Sequence, residues 1–194
     1  MAAPTRKRTG QPFSQSRVPS FWGDFFISRP RWQSGRAGVK IQVLRKGAVD
    51  LIPVQLYIES TIHREGEEPE VIRQQLSGGL QFNDEEWIIR YTENAGTADE
   101  VRTSVKSFPD RITVVRQGPV SYRQTYRPGE TTQSIVHTPA GKTEMDVSTL
   151  KYLRERAGQE GRIQFSFLLN MGAQDLGSYQ LIIQWTEAKI NEPA

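Results

Sequence analysis

Between Gly161 and Ala188 apolar side chains fall on every second position. Ile163, Phe165, Phe167, Leu169 and Met171 alternate with Arg162, Gln164, Ser166, Leu168 and Asn170; after a glycine-containing break, Tyr179, Leu181, Ile183 and Trp185 alternate with Gln180, Ile182, Gln184 and Thr186. A period of two sends the two sets to opposite faces of an extended chain, which predicts a β-hairpin with one buried face. The same alternation runs upstream. In "VQLYIESTIHRE" Val54, Leu56, Ile58 and Ile62 alternate with Gln55, Tyr57, Glu59, Thr61 and His63. Then come "EVIRQQLSGGLQF", "EWIIRYTE", "VRTSVKSF", "RITVVRQG", "VSYRQTYR", "TQSIVHT" and "KTEMDVSTLKYLRER", parted by turn residues such as Asn94-Ala95-Gly96, Pro109-Asp110, Gly118-Pro119, Pro128-Gly129 and Pro139-Ala140-Gly141. About ten short strands with close turns and no helical period predict an all-β protein, an antiparallel meander closed into a barrel or sandwich.

The first part of the chain reads differently. Up to about Gly38 no period is sustained, and Pro4, Pro12, Pro19 and Pro30 interrupt any helix. Residues 1–53 hold ten Lys/Arg against two acids, a balance of +8, whereas 54–194 hold fifteen against twenty, a balance of −5; the two make up the net +3. The expected organisation is therefore a basic, largely irregular extension over 1–38, a barrel over 39–188 and a short tail over 189–194. The strand pattern would begin naturally at Val39, so the extension is expected to be unstructured or to precede the native start of translation. Five aromatics in "FWGDFFISRPRW" (Phe21, Trp22, Phe25, Phe26 and Trp32) leave two further readings. One is docking on a folded surface, and the other is contact with single-stranded nucleic acid, whose bases stack on rings and whose phosphates attract Arg. Nucleic acid is expected only through this extension, since the remainder is net acidic.

With no cysteine, disulfides and thiolate metal sites are excluded. No apolar run approaches the ~18 residues of a membrane span, and no apolar stretch follows the charged N-terminus as in a secretory signal. The expectation is a soluble cytoplasmic protein that does not bind membranes.

Candidate chemistry is sparse. Gly141-Lys142-Thr143 imitates the end of a phosphate-binding loop, but Val136 stands where the first glycine is needed and a strand follows, so a hairpin turn is expected. Glu144 and Asp146 share a strand face, yet Met145 and Val147 hold the opposite one, so the carboxylates are expected to point into water. His63 and His137 lack the spacing of a metal site, and no Gly-x-Ser-x-Gly elbow occurs. No catalytic residue, metal or cofactor is therefore expected, and the leaning is toward a protein that is not an enzyme. One pattern stands out. Arg116 has the parity of Ile112 and Val114, and Gln124 that of Val120, Tyr122 and Tyr126. Polar side chains on an inward face are costly unless satisfied, and polar groups among aromatics orient small ligands in pockets. Arg116, Tyr122, Gln124 and Tyr126 are thus the candidate ligand-binding residues of a barrel lumen. The preferred expectation puts Arg116 at a barrel rim, its stem on apolar surface and its head in water; a third pairs it with an internal carboxylate, which its loss would strand.

"VVRQGPVSYRQTYRPGETT", "TPAGKTEMDVSTLKY" and "GRIQFSFLLNMGAQDLGSYQLIIQWTE" together resemble the YwiB-like family of uncharacterised bacterial proteins, over about Val54 to Glu187. The resemblance implies a calycin-like barrel related to the lipocalins, and no activity. The expected function is a non-enzymatic small-molecule-binding module using the barrel lumen or mouth. The alternative is a protein- or RNA-interaction module using the outer surface and the basic extension.

Overall fold

The computed structural model describes residues 51–188. The expected extension over 1–38, the proposed start at Val39 and the tail over 189–194 lie outside these residues. Ten strands follow one another without a helix: β1 (Ile52–His63), β2 (Glu70–Phe82), β3 (Trp87–Glu93), β4 (Val101–Ser107), β5 (Ile112–Gln117), β6 (Tyr122–Tyr126), β7 (Thr131–Thr138), β8 (Gly141–Ala157), β9 (Glu160–Met171) and β10 (Gln174–Glu187). Each pairs antiparallel with its chain neighbour except at one place, giving the order β6-β5-β4-β3-β2-β1-β10-β9-β8-β7. The first and last strands pair along ten positions, from Val54↔Glu187 to His63↔Ser178. That long-range ladder turns a meander into a nearly closed barrel and removes most of the exposed edge.

Closure is completed at the seam between β6 and β7. Ser121 and His137 exchange two backbone hydrogen bonds of 2.9 Å in a single bridge. Further along, side chains take over from the ladder: the Gln124 amide donates to Thr132 Oγ1 at 2.6 Å and to the Thr125 carbonyl at 3.0 Å, while the Thr132 hydroxyl donates to the same carbonyl.

The alternation predicts the interior well. Ile163, Phe165, Phe167 and Leu169 of β9, Tyr179, Leu181, Ile183 and Trp185 of β10, and Val54, Leu56, Ile58 and Ile62 of β1 are all buried. Two departures matter. In β8 the register shifts between Thr149 and Lys151, a β-bulge at Leu150. An extra residue inverts the parity: Met145, Val147 and Thr149 face the core, whereas beyond the bulge Tyr152 is the partly buried residue packed against it and Leu153 is exposed. Tyr152 and Arg154 then reach across one mouth. Tyr152 Oη lies 2.6 Å from Ser107 Oγ and donates to the Phe108 carbonyl at 2.8 Å, Arg154 donates to the Ser107 and Glu85 carbonyls, and its guanidinium covers the Trp87 ring at 4.5 Å. Beside them Trp87 meets Trp185 edge-on at 5.6 Å. The second departure is Gly161, which makes room for that indole, because a Cβ there would collide with Trp185 Cζ2.

Candidate functional site

All four lumen candidates face inward. Arg116 is 2% exposed, Tyr122 5%, Gln124 0% and Tyr126 0%. The structure brings Arg116, Tyr122 and Tyr126 around one internal cavity together with Tyr91, Thr103, Val105, Val114 and Phe165. Gln124 is committed instead to the β6–β7 seam. Burial pushes the phenols of Tyr91, Tyr122 and Tyr126 above their ordinary value, so all three are neutral and able to donate.

Arg116 is not a rim residue with its head in water. It is the last inward position of β5, close to a barrel end, but its Nη1 donates to Glu93 Oε1 at 2.8 Å, and Glu93 is 1% exposed. An arginine so enclosed persists because a carboxylate is enclosed with it. Glu93 was the missing member on the sequence side. Its signal was present, since it shares the parity of the buried Ile89 and Tyr91, but it lies 23 residues from Arg116 and two strands away. The ladders Glu93↔Val101 and Thr103↔Arg116 bring the two together across β4.

The cavity itself is small, about 10 Å³. That is roughly one water molecule, whereas organic ligands occupy about 300–1,000 Å³. Aromatic packing explains why. The Tyr126 ring crosses from β6 to β9, 4.8 Å from both Phe165 and Phe167, and Phe167 stacks on Tyr179 at 5.4 Å. The interior is a packed core.

Open space lies outside. One cleft of about 660 Å³ runs over β2, β1, β10, β9 and β8, lined by Gln75, Tyr57, Gln184, Arg162, Glu155 and Glu160 among others. A second of about 630 Å³ runs over β2 to β5, lined by Ser77, Gly78, Gly79, Arg90, Arg102, Ser104 and Gln117 among others. Gly78 lets the strands approach there, since a Cβ would meet the Arg90 carbonyl at 2.7 Å.

The remaining sequence candidates are scattered. Gly141 opens β8 in the turn after β7 with φ +134, as a hairpin requires, and Glu144 and Asp146 take the face of β8 opposite to the buried Met145 and Val147. His63 and His137 are exposed on separate strands. Among the described residues no group of three His, Asp or Glu is placed to hold a metal ion, and no helix is long and apolar enough to cross a membrane.

A crystal structure of the YwiB protein from Bacillus subtilis resembles this fold with a TM-score of 0.62 and 22% identity, covering 71% of this chain and 93% of that one. At that identity the likeness speaks for the fold alone. No curated protein matches the chain. A family model described as a domain of unknown function, DUF1934, matches residues 56–183, from within β1 to within β10. That match spans well over half of the chain, and the chain therefore belongs to the DUF1934 family, in agreement with the YwiB-like motifs of its sequence.

Proposed function

We propose that this protein is a non-enzymatic binding module that works through the outer surface of its barrel rather than through the lumen. The supporting observation is the contrast in room: about 10 Å³ inside, where Tyr126, Phe165 and Phe167 meet, against clefts of about 660 and 630 Å³ outside. Tyr152 and Arg154 bond across one mouth, and two of the polar side chains inside help to hold the barrel together. Arg116 is paired with Glu93, and Gln124 is bonded across the seam. A small molecule in the lumen would have to displace packed rings and separate a buried ion pair.

The reading is tested by titrating the full chain with an apolar fluorescent probe of lipocalin-type cavities, 1-anilinonaphthalene-8-sulfonate, and by native mass spectrometry of protein purified from its own host. No saturable one-to-one uptake is expected in either measurement. A retained organic molecule whose binding protects the inward-facing strand positions from hydrogen exchange would overturn the proposal.

A further inference from the structure

The net negative charge of residues 54–194 conceals a sharp segregation. On β3 to β6 the outward positions that reach solvent are Arg90 and Thr92, then Arg102, Ser104 and Lys106, then Val115 and Gln117, then Arg123 and Thr125. Four of these nine are cationic and none is a carboxylate. Register gathers them around Ser104. Arg90 stands opposite Ser104, so Arg102 and Lys106 are its two diagonal neighbours, at about 7–8 Å. The row runs on from Ser104 through Val115 to Arg123, three strand spacings or about 14 Å from Arg90. Like charges held as neighbours on a sheet repel each other, and an anion lying between them relieves the repulsion.

The bonding of these cations sets them apart. Arg102 meets Glu100 at 2.7 Å, but the side chains of Arg90 and Arg123 make neither an ion pair nor a hydrogen bond among the described residues. Every other arginine of residues 51–188 has a bonded partner, as Arg73 has Glu59 and Arg156 has Glu187. Arg90, Arg102 and Ser104 line the 630 Å³ cleft with Ser77, Thr92 and Gln117, and Gly78 and Gly79 put no side chain into it. That room is within the range of small-molecule sites, about 300–1,000 Å³. The other large cleft has no such bias, since Glu155 and Glu160 offset Arg156 and Arg162 along it.

We infer that this face binds a small oligophosphate, a chain of linked phosphates lying along the row from Arg90 to Arg123. This rests on the reading that the barrel acts from its outside. Guanidinium forks match phosphate oxygens in bidentate pairs, and the hydroxyls of Ser77, Thr92 and Ser104 with the Gln117 amide offer further donors. A carboxylate brings two oxygens to so many donors, whereas a terminal phosphate brings three. Cations at both ends of the row and on either side of its middle call for several negative charges along one ligand; a single phosphate would leave the outer ones unmet. Among the described lining residues the one ring, Tyr91, is buried, so recognition involves the phosphates and no aromatic group of the ligand.

Isothermal titration calorimetry of the full chain with tripolyphosphate, in low salt and without divalent cations, tests this. Saturable one-to-one binding is expected, weakening as salt is added because the cations are not buried. Arg90→Gln and Arg123→Gln, with unchanged melting temperatures, should each weaken binding about tenfold, as the loss of a hydrogen bond to a charged group does. Ser104→Ala should weaken it by a smaller factor, and Lys142→Gln/Lys151→Gln on β8 should change nothing. Citrate at matched ionic strength should bind more weakly, and uridine triphosphate no more tightly than tripolyphosphate. Absence of saturable binding, undiminished affinity of either arginine variant, or equal affinity for citrate would each overturn the inference. Tighter binding of uridine triphosphate would move recognition to the base and overturn it as well. If tripolyphosphate fails while the apolar probe is still excluded from the lumen, the inference falls and the outer-surface reading stands.

Discussion

Arg116 and Glu93 illustrate how a residue's meaning depends on its partner. A guanidinium that is 2% exposed is tolerated because a carboxylate that is 1% exposed lies 2.8 Å away, and removal of either member leaves the other charged in a medium that solvates it poorly. Arg116→Met should therefore destabilise the barrel by about 3–5 kcal/mol, read as a lower denaturant midpoint. Arg116→Met combined with Glu93→Leu should recover most of that loss, because no charge is then stranded. A single variant as stable as the parent would show that water reaches Glu93 and that the pair is not sealed. Of the three alternatives posed by the sequence, a lumen anchor and a rim residue assumed an arginine with no internal partner, and the third paired it with an internal carboxylate. The structure supplies one from a strand whose own parity marked it.

Strand irregularities decide what the barrel can hold. Without the bulge at Leu150, strict alternation along β8 would carry Lys151 and Leu153 inward after Thr149. With it, Tyr152 and Arg154 bond across the mouth, and Leu150 and Leu153 are left exposed. Gly161 belongs to the same closure. A methyl group built there would run into Trp185 Cζ2, and Trp185 is held from the other side by Trp87. Gly161→Ala should cost about 1–3 kcal/mol, as overpacking of a tight core does, and should shift tryptophan fluorescence as the indole is displaced. An unchanged unfolding midpoint would mean that the Trp87–Trp185 pair yields freely.

The barrel as a whole encloses phenols that cannot ionise without cost. Burial raises the pKa of Tyr91, Tyr122 and Tyr126, whereas the unfolded chain titrates its tyrosines near about 10. Their folded values are the higher ones, so the unfolded state releases protons first, and stability declines as pH rises above about 10. Below that pH their contribution is complete and flat. Denaturant midpoints should accordingly hold steady from neutral pH to about 10 and fall beyond it, with the last three of the six tyrosines ionising together with loss of the β circular dichroism signal rather than before it. Tyrosinate absorbance amounting to all six tyrosines in a still-folded barrel would show the three buried rings to be open to hydroxide. The same filled interior is what turns attention from the lumen to the outer clefts.

The strands, their turns and the inward parity of Arg116, Tyr122, Gln124 and Tyr126 were legible in the sequence, because alternation with a period of two is local and reads off any short segment. The family motifs were legible for the same reason, since they lie within single strands and turns. What parity cannot convey is which strands meet. The β1–β10 ladder joins positions more than a hundred residues apart, as in Val54↔Glu187, and only that closure puts Tyr126 against Phe165 and Phe167 and fills the space where a ligand was expected. The pairing of Glu93 with Arg116 needed β4 between them, and the gathering of Arg90, Arg102, Lys106 and Arg123 on one face needed both parity and strand order. Local pattern determined what each strand turns inward. Non-local pairing decided whether the inside is hollow, whose charge meets whose, and which outer face is left cationic.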